Sequence, residues 1–425
     1  MKIFSDLHIH GRYSRATSKE LSIENLERYA RIKGLNLLGT GDFTHPLWLK
    51  ELKERLHEDG SGILSTSSGF KFLLQAEVSL MYSQGDKARK IHLVLFAPEF
   101  ESVERINKWL STKGRLDYDG RPIFGMSAPE FTERIKDIDE RVEIVPAHAW
   151  TPWFGIFGSA TGFDSVEECF QDQSRHIKML ETGLSSDPEM NWRISKLDKY
   201  SLISNSDSHS FWPWRIGREL NVNELKELSY ENLIRSFVTR HNFMETIEVD
   251  PAYGKYHFDG HRGCRVSMSP QEAMRHKNIC PVCGRPLTIG VMHRVEELAD
   301  RPPGFVPEGA VPFRRIIPLA ELISAVLGGG LSSRAVTNTY YSIIKEFGSE
   351  LEVLLNAEED KLKRICGREL AEVIMQNRAG KLNVVPGYDG VYGTLNLGNK
   401  KVIIGDDEPQ SKREGRYTQK GLLEF

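Results

Sequence analysis

Three side chains with a strong affinity for metal ions occupy alternate positions near the start of the chain. They are Asp6, His8 and His10, in the segment MKIFSDLHIHGRYS. Residues two apart in a β-strand point to the same face, so these groups are expected to converge on one patch. Buried imidazole and carboxylate groups are costly without a partner, and a metal ion is a common partner for such a set. The pattern therefore predicts a metal site where a buried strand ends.

Several later apolar segments of the sequence also end in histidine, aspartate or glutamate. A single histidine in a strand is more often a hydrogen-bonded core residue than a ligand. For this set, however, a purely structural explanation would need a separate partner for every member. We predict that the set holds two or three divalent ions, with zinc, manganese or magnesium as the candidates. The predicted ligands are His8, His10, Asp42, His45, Glu77, His92, His148, Asp207 and His209.

The elements that must position these residues alternate between short apolar strands and amphipathic helices. Segments such as LNLLGTGDF, KIHLVLFAP and SLISNSDSH read as strands that end in polar residues, and SIENLERYARIKG reads as a capped helix. This alternation predicts an α/β fold for residues 1–245, as a parallel barrel or a layered sheet. Active sites of such folds lie at the C-terminal ends of the strands, which is where the polar residues stand.

A second set of ligand residue types lies in residues 246–300. His261-x-x-Cys264 and Cys280-x-x-Cys283 have the spacing of a four-ligand structural zinc site, with His257 and His293 as reserve ligands. Free cysteines near a turn are the alternative. With four protein ligands and no open position, such a zinc ion would fold a small lobe rather than take part in catalysis.

Composition excludes several classes of protein. The chain has 425 residues, a net charge of −3 and five cysteines, so it is neither a strongly basic polyanion binder nor a disulfide scaffold. We find no apolar stretch long enough for a membrane span and no signal-peptide pattern, which predicts a cytoplasmic protein without a membrane partner.

The C-terminal part contains three weaker signals. In residues 301–395, FGSELEVLLNAEEDKLKRICGRELAEVI resembles a helix-hairpin-helix module with Gly367 in its hairpin, and VLGGGLSSRAV offers Gly329 and Arg334 as a phosphate cradle. A packed helix pair and a flexible break are the alternatives. Residues 396–425 read as a flexible tail. Its Gln419, Leu422 and Phe425 match the peptide by which replication proteins bind the sliding clamp, PCNA.

Residues 1–245 resemble the polymerase-and-histidinol-phosphatase (PHP) superfamily, through D-x-H-x-H, TGD, an isolated Glu77, His148 and a late D-x-H. Two departures are Phe43, where a histidine is expected, and Arg15, where an acid is common. The resemblance implies a distorted (β/α)7 barrel that hydrolyses phosphoesters with a metal cluster.

The whole chain is similar to the endonuclease Q family, most specifically in GKYHFDGHRGC and CPVCGRPLTIGVMHRVEELADRPPG. The resemblance implies a metal-dependent DNA repair endonuclease that cuts 5′ to deaminated bases (hypoxanthine, uracil, xanthine) or abasic sites. The expected catalytic residues are Glu77, Asp207, His148 and Arg12, and the expected substrate-binding residues are Arg15, Trp150, Trp153, Phe211 and Trp212, from an aromatic set that also includes Phe154 and Trp214. A phosphatase for a small phosphomonoester and a non-catalytic adaptor between DNA and clamp remain the alternatives.

Overall fold

The computed structural model describes residues 1–397 and 400–403. The strands are β1 (Lys2–Asp6), β2 (Leu37–Gly39), β3 (Leu64–Ser65), β4 (Lys71–Gln84), β5 (Lys87–Ala97), β6 (Ile123–Phe124), β7 (Glu143–Pro146), β8 (Met179–Glu181), β9 (Ser201–Ile203), β10 (Leu220–Glu224), β11 (Phe243–Glu248), β12 (Asp259–His261), β13 (Val266–Met268), β14 (Phe313–Arg315), β15 (Asn383–Val385), β16 (Thr394–Leu397) and β17 (Lys400–Ile403).

The α-helices are α1 (Ile23–Lys33), α2 (Pro46–Arg55), α3 (Phe100–Leu110), α4 (Ala128–Ile138), α5 (Val166–Phe170), α6 (Pro188–Asn191), α7 (Tyr230–Thr239), α8 (Pro270–Arg275), α9 (Val291–Leu298), α10 (Leu319–Leu327), α11 (Arg334–Phe347), α12 (Glu350–Leu355), α13 (Glu359–Cys366) and α14 (Arg368–Arg378). Short 3-10 helices lie at Gln171–His176, Gly183–Ser185, Ser195–Leu197, Pro251–Tyr253 and Arg262–Cys264. None of the helices in the described ranges is both long and apolar enough to cross a membrane.

A mixed sheet forms the centre of the molecule. Its strand order is β14-β11-β10-β1-β2-β4-β5-β7, and β3 and β6 also pair with β4. Strands β1, β2 and β4 are mutually parallel neighbours, whereas β5 is antiparallel to both β4 and β7. Strands β8 and β9 form a separate parallel pair. The α/β class is as predicted, but the sheet is not the uniformly parallel one that strand–helix alternation suggests.

One antiparallel part of the sheet is a long hairpin, and β10, which is antiparallel to β1 and β11, is another. Gly85 and Asp86 join β4 to β5 with φ angles of 59° and 57°, the two left-handed residues of a type I′ turn. The register pairs Glu77 with Val94 and Ser79 with His92. Directly opposite residues of a hairpin share a face, and so do residues two apart. Glu77 and His92 therefore project from the same face of the hairpin.

An apolar cluster lies on that side of the hairpin. It holds the strands together although their hydrogen bonds do not close into a ring. It contains residues of strands β1, β2, β4, β5, β7, β8 and β9 and of helix α7, including Ile3, Leu37, Leu73, Val94, Phe96, Val145, Met179, Ile203, Leu233 and Phe237. Val94 and Phe96 lie two and four residues after His92, so their side chains point to the same side of β5 as His92. Burial of this cluster therefore sets the strands that carry the polar residues around one centre.

The C-terminal helices pack against the barrel and are followed by a small sheet. Helix α10 is buried from Leu319 to Val326. Strand β14 pairs with β11, so the central sheet extends beyond the predicted domain boundary at residue 245. Strands β15, β16 and β17 form a three-stranded sheet that the sequence analysis did not predict, partly within the segment assigned to the tail. The predicted clamp-binding residues Gln419, Leu422 and Phe425 lie outside the described residues.

A buried ion pair connects the helical region to the barrel. Lys33 Nζ at the end of α1 lies 2.8 Å from Glu350 Oε1 of α12, and both side chains are almost fully buried. Tyr340 and the backbone N–H of Leu319 also donate hydrogen bonds to Glu350. The carboxylate thus has a donor from each side of the contact between barrel and helices.

Lys33→Met should lower the free energy of unfolding by about 3–5 kcal/mol, because it leaves the buried carboxylate of Glu350 without its counter-charge. Denaturant unfolding would measure the loss. Lys50→Met is the control, since Lys50 and its partner Glu54 are largely exposed and 3.9 Å apart; its cost should stay below about 1 kcal/mol. Equal effects of the two substitutions would contradict this account of the contact.

Candidate metal centre

Six of the nine predicted metal ligands form two groups that share Glu77. The first group contains His8, His10, Glu77 and Asp207, and the second contains Glu77, His92 and His148. Within each group, one ligand atom from each residue lies within 4.8 Å of all the others. These residues come from β4, from β5 and from the segments that follow β1, β7 and β9. The structure thus brings these six residues together, whereas Asp6, which was expected to converge with His8 and His10, is in neither group.

The two carboxylate oxygens of Glu77 face different groups. Oε2 lies 3.3 Å from His10 Nε2 and 3.6 Å from His8 Nε2, while Oε1 lies 2.7 Å from His92 Nδ1 and 3.2 Å from His148 Nε2. Asp207 completes the first group, with Oδ1 3.0 Å from His10 Nε2. Glu77 is fully buried, whereas the side chain of Asp207 is 29% exposed. Asp207 therefore stands at the open side of the centre.

The backbone is held in an unfavourable conformation at three polar residues that follow strands. Asp42, His148 and Asp207 have φ angles of 38°, 29° and 50°. Few residues other than glycine adopt positive φ, and such positions cluster at functional sites where the surroundings enforce them. The strain turns each side chain sharply where its strand has ended, which strand periodicity alone does not provide.

A second layer of residues orients the imidazole rings. Glu181, 1% exposed at the end of β8, accepts the Nδ1 hydrogen bond of His8 at 2.9 Å and a backbone hydrogen bond from His148 at 2.7 Å. Asp42 Oδ1 lies 2.9 Å from His10 Nδ1, and Thr151 Oγ1 lies 3.0 Å from His148 Nδ1. These contacts leave the Nε2 atoms directed at the centre. A carboxylate behind a histidine is the usual support of a metal-binding imidazole.

Glu181→Gln should weaken divalent-metal binding at the first group by about 10–100-fold, because the amide replaces the carboxylate that fixes the tautomer of His8. Equilibrium dialysis against buffered metal would measure the affinity. Glu167→Gln is the matched control, since this carboxylate of α5 is 44% exposed and pairs with Lys199. Unchanged affinity in Glu181→Gln would show that His8 does not depend on this support.

The electrostatics of the centre fit a bound cation. Burial disfavours the charged ring of His8, but the carboxylates of Glu181, Asp207 and Glu77 outweigh it and raise its pKa well above the usual value. Burial also opposes ionisation of Glu77, yet His92, Arg121 and His8 hold its pKa well below the usual value. The carboxylate of Glu77 is therefore ionised in the folded protein.

The donor set itself also fits metal ions. His8 Nε2 is buried and has no hydrogen-bond partner within the described ranges. A buried imidazole nitrogen rarely stays without a partner in a folded protein. Neutral imidazoles combined with carboxylates suit zinc, manganese or iron. The residues present thus fit a divalent metal centre.

Four predicted or motif residues lie in neither group. Asp42 supports His10 from behind, and Asp6 accepts hydrogen bonds from Ser206 and from the backbone of Gly217. The ring of His45 stacks on Tyr13 at 4.5 Å, and the ring of His209 lies 4.3 Å from that of His10. In this structure His209 is a neighbour of the first group, whereas His45 is part of the packing around α2.

The second predicted metal site is assembled in a separate lobe. His261, Cys264, Cys280 and Cys283 have ligand atoms within 4.8 Å of one another, at the β12–β13 hairpin and a turn after α8. The reserve ligands stay outside this group: His293 binds Asp259 at 2.6 Å, and His257 stacks on Phe258. The four side chains are close enough to bind one metal ion together.

Comparison with known proteins decides the family. A family model described as the MJ0043 C-terminal domain matches residues 318–381. The uncharacterized protein MJ0043 of Methanocaldococcus jannaschii is 35% identical over 263 residues, which are 60% of this chain and 32% of that protein. The crystal structure of the lesion-specific endonuclease PfuEndoQ from Pyrococcus furiosus superposes with a TM-score of 0.84 at 33% identity, covering 94% of this chain and 96% of that one. The chain belongs to the endonuclease Q family.

Family membership confirms the predicted fold class and the predicted enzyme class. This endonuclease Q is a hydrolase, a metal-dependent DNA endonuclease. A second solved structure, of endonuclease Q with a 27-mer duplex substrate that carries an abasic lesion at the active site, has a TM-score of 0.83 and 34% identity, covering 94% of this chain and 97% of that one.

The predicted substrate-binding aromatics divide into buried and exposed residues. Trp150 and Phe211 are buried, and Trp150 donates a hydrogen bond to Asn191. Trp153 and Trp212 are 40% and 36% exposed. Phe154, the residue after Trp153, packs against His92 with ring centroids 4.3 Å apart. Trp212, three residues after His209, stacks on Trp214 with ring centroids 5.1 Å apart. Two of the predicted aromatic residues are therefore partly exposed to solvent.

The predicted basic and glycine residues lie at some distance from the two groups or at their rim. Arg12 pairs with Glu51 and donates to the carbonyl of Leu21, so its guanidinium is engaged away from the metal ligands. Arg15 is exposed and pairs with Asp119. The remaining predicted positions are in the helical region: Gly329 and Gly367 have φ angles of 96° and 83°, and Arg334 begins α11 with its side chain exposed.

Two residues of the site were missed from the sequence. Glu181 ends a strand in IKMLETG, and the rule that gathered the other strand-end residues would have included it. Arg121 lies in the loop DYDGRPIF and contacts Glu77. No spacing rule identifies it, because its position depends on the path of a loop between α3 and β6.

Proposed function

We propose that this endonuclease Q is a DNA repair enzyme that hydrolyses the phosphodiester 5′ to deaminated bases (hypoxanthine, uracil or xanthine) and to abasic sites. The observation that carries the proposal is the pair of ligand groups joined by one carboxylate, Glu77. The abasic duplex bound by the endonuclease Q relative supports the choice of substrate.

Two divalent ions are proposed for the barrel and one zinc ion for the lobe. His8, His10, Glu77 and Asp207 would hold one barrel ion, and Glu77, His92 and His148 the other. Asp42, His45 and His209 are not assigned to an ion, because they lie in neither group. Zinc and manganese suit the histidine-rich set better than magnesium, which prefers oxygen ligands. His261, Cys264, Cys280 and Cys283 would hold the structural zinc ion.

The chain's own residues would position the phosphate and the ligands for hydrolysis. When bound, the divalent ions supply Lewis acidity, which makes water nucleophilic near neutral pH and offsets phosphate charge. Glu181 and Asp42 keep His8 and His10 in the tautomer that presents Nε2. Asp207, partly exposed at the open side of the centre, would hold the first ion and face the scissile phosphate as part of the proposed catalytic set. Glu77 and His148 complete the proposed catalytic set.

Recognition of the lesion is assigned to the two exposed tryptophans. Trp153 and Trp212 are 40% and 36% exposed, and a base would stack on the exposed part of each ring, at about 1–3 kcal/mol per base. A deaminated base pairs weakly and an abasic site has no base to pair, so displacing that nucleotide costs less than in intact duplex. Weak pairing would therefore direct the enzyme to such sites.

Contacts with longer DNA and with the sliding clamp complete the proposal. Three residues near helix starts would bind the DNA backbone: Gly329 and Gly367, which have positive φ angles, and the exposed Arg334. Gln419, Leu422 and Phe425 would bind the clamp. Removing residues 422–425 should abolish clamp binding and leave nicking unchanged, as surface plasmon resonance and a nicking assay would measure.

A nicking assay tests the proposal. Duplexes that carry one hypoxanthine, uracil or abasic site, and an undamaged duplex, are incubated with the wild type and with Asp207→Asn. The proposal expects cuts 5′ to each lesion and none in the undamaged duplex, with Asp207→Asn inactive. Equal cutting of undamaged DNA would contradict the repair function. Turnover of simple phosphomonoesters without nicking would favour the phosphatase, and unchanged DNA-dependent function in Asp207→Asn would favour the adaptor.

A further inference from the structure

We propose that Arg121 binds the phosphate that the enzyme cleaves and stabilises its charge during hydrolysis. This inference rests on the proposed function of the two ligand groups, and it adds a catalytic residue that the sequence analysis did not identify.

Arg121 extends from the mouth of the centre to the shared carboxylate. Its Nη1 lies 3.0 Å from Glu77 Oε2, the oxygen that faces His8 and His10. Glu77 is fully buried, whereas the side chain of Arg121 is 29% exposed. The guanidinium therefore lies between the ligands and the solvent, on the path by which a phosphate would approach.

Most of the hydrogen-bonding capacity of this guanidinium is unused. A guanidinium has five N–H donors in a fixed fork that matches the geometry of phosphate oxygens. Within residues 1–397 and 400–403, the guanidinium makes one hydrogen bond, to Glu77. Its other N–H groups are not among the buried polar atoms that lack a partner, so they reach solvent. Divalent ions bound to Glu77 and Asp207 would offset the charge that Arg121 now faces. The free donors would then be available to the phosphate.

The backbone around Arg121 is fixed on both sides. Thr44 Oγ1 donates a hydrogen bond of 3.0 Å to the carbonyl of Gly120, and Ser79 N on β4 donates one of 2.9 Å to the carbonyl of Pro122. A Cβ atom at Gly120 would lie 2.2 Å from Asp42 Oδ2 and from Ser14 Oγ. Glycine is thus required for the loop to approach the residue that supports His10. The backbone that carries Arg121 is therefore held in place, and the hydrogen bond to Glu77 directs its guanidinium towards the ligands.

The other arginines near the first motif do not have this placement. Arg12 is neutralised by Glu51, and the side chain of Arg15 is 66% exposed and pairs with Asp119. Asp119 also accepts a hydrogen bond from the backbone N–H of Arg121, at 3.2 Å. Of these three arginines, Arg121 contacts a predicted metal ligand.

The test compares Arg121→Ala, Arg121→Lys and Arg115→Gln under single-turnover conditions on an abasic duplex. Arg115 is the control, since it lies in the same loop, is 75% exposed and pairs with Asp117. Arg121→Ala should slow cleavage by about 10²–10³-fold, the effect of losing one donor to developing charge. Arg121→Lys should recover part of the rate, and Arg115→Gln should match the wild type. Elemental analysis should find the same metal content in all four proteins.

Phosphorothioate substrates identify the contact itself. With sulfur in place of one non-bridging oxygen of the scissile phosphate, the defect of Arg121→Ala should shrink for one diastereomer and persist for the other. If the wild type cleaves the duplex and Arg121→Ala cleaves it at the same rate, the inference about Arg121 is overturned and the proposed function is not. Loss of the barrel metals in Arg121→Ala would also overturn it, since Arg121 would then serve Glu77 rather than the phosphate. An inactive wild type would instead contradict the proposed function.

Discussion

Glu77→Gln should abolish detectable nicking of lesion-containing duplexes, with a loss of roughly a thousandfold or more. The two oxygens of Glu77 face separate ligand groups, so the amide removes one negative donor from each. A metal centre contributes several kcal/mol to the transition state, and each 1.4 kcal/mol is about a factor of ten in rate. The same substitution should release divalent metal from both groups, which elemental analysis after dialysis would measure.

A nearby strand offers the control for this substitution. Glu143 on β7 is also largely buried, but it lies 3.8 Å from Lys136, at the opposite end of the strand from His148. Glu143→Gln should keep both the metal and the nicking rate. Full metal content in Glu77→Gln, together with a rate within tenfold of the wild type, would show that the carboxylate does not join the two groups.

Cys280→Ser should release one zinc ion and unfold the lobe while the barrel keeps its metal. Apparent binding energies of structural zinc sites are about 10–16 kcal/mol, which far exceeds what this small lobe can gain from its own core. That core consists of Ala273, Cys280 and Leu287, with three partly buried neighbours. Zinc content, thiol reactivity and limited proteolysis within residues 259–290 would report the change.

Cys366→Ser is the matched control, because Cys366 lies at the end of α13 and outside the four-ligand group. It should leave the zinc content and the proteolysis pattern unchanged. A lobe that stayed resistant to protease in Cys280→Ser would contradict a zinc-dependent fold and would favour the reading of these residues as ordinary free cysteines.

The sequence predicted much of the centre because metal ligands obey local rules. Alternate spacing aligned His8 with His10, and polar residues after strand ends marked His148 and Asp207. Glu77 and His92 were also expected at strand ends, but they lie in the interior of β4 and β5. His45 and His209 satisfied the same rules, yet neither joins a group in the structure. The type of a residue and its position in the sequence do not show which way its side chain points once a strand has ended. Here the positive φ angles of Asp42, His148 and Asp207 set that direction.

Features that depend on tertiary packing were less accessible. Trp150 and Trp153 look equivalent in the sequence, but the first packs in the core and the second faces solvent. The antiparallel hairpin of β4 and β5 could have been found from the Gly85–Asp86 turn, whereas the approach of Arg121 to Glu77 depends on a loop held by Thr44 and Ser79. Contacts between residues distant in the chain carry no local signal.

Anomalous diffraction from crystals grown with manganese or zinc tests the central claim most directly. The account predicts one peak among His8, His10, Glu77 and Asp207, a second among Glu77, His92 and His148, and a third, from zinc, in the lobe. Crystals of the active protein with no peak at either barrel group, and with these side chains bonded only to one another, would contradict it.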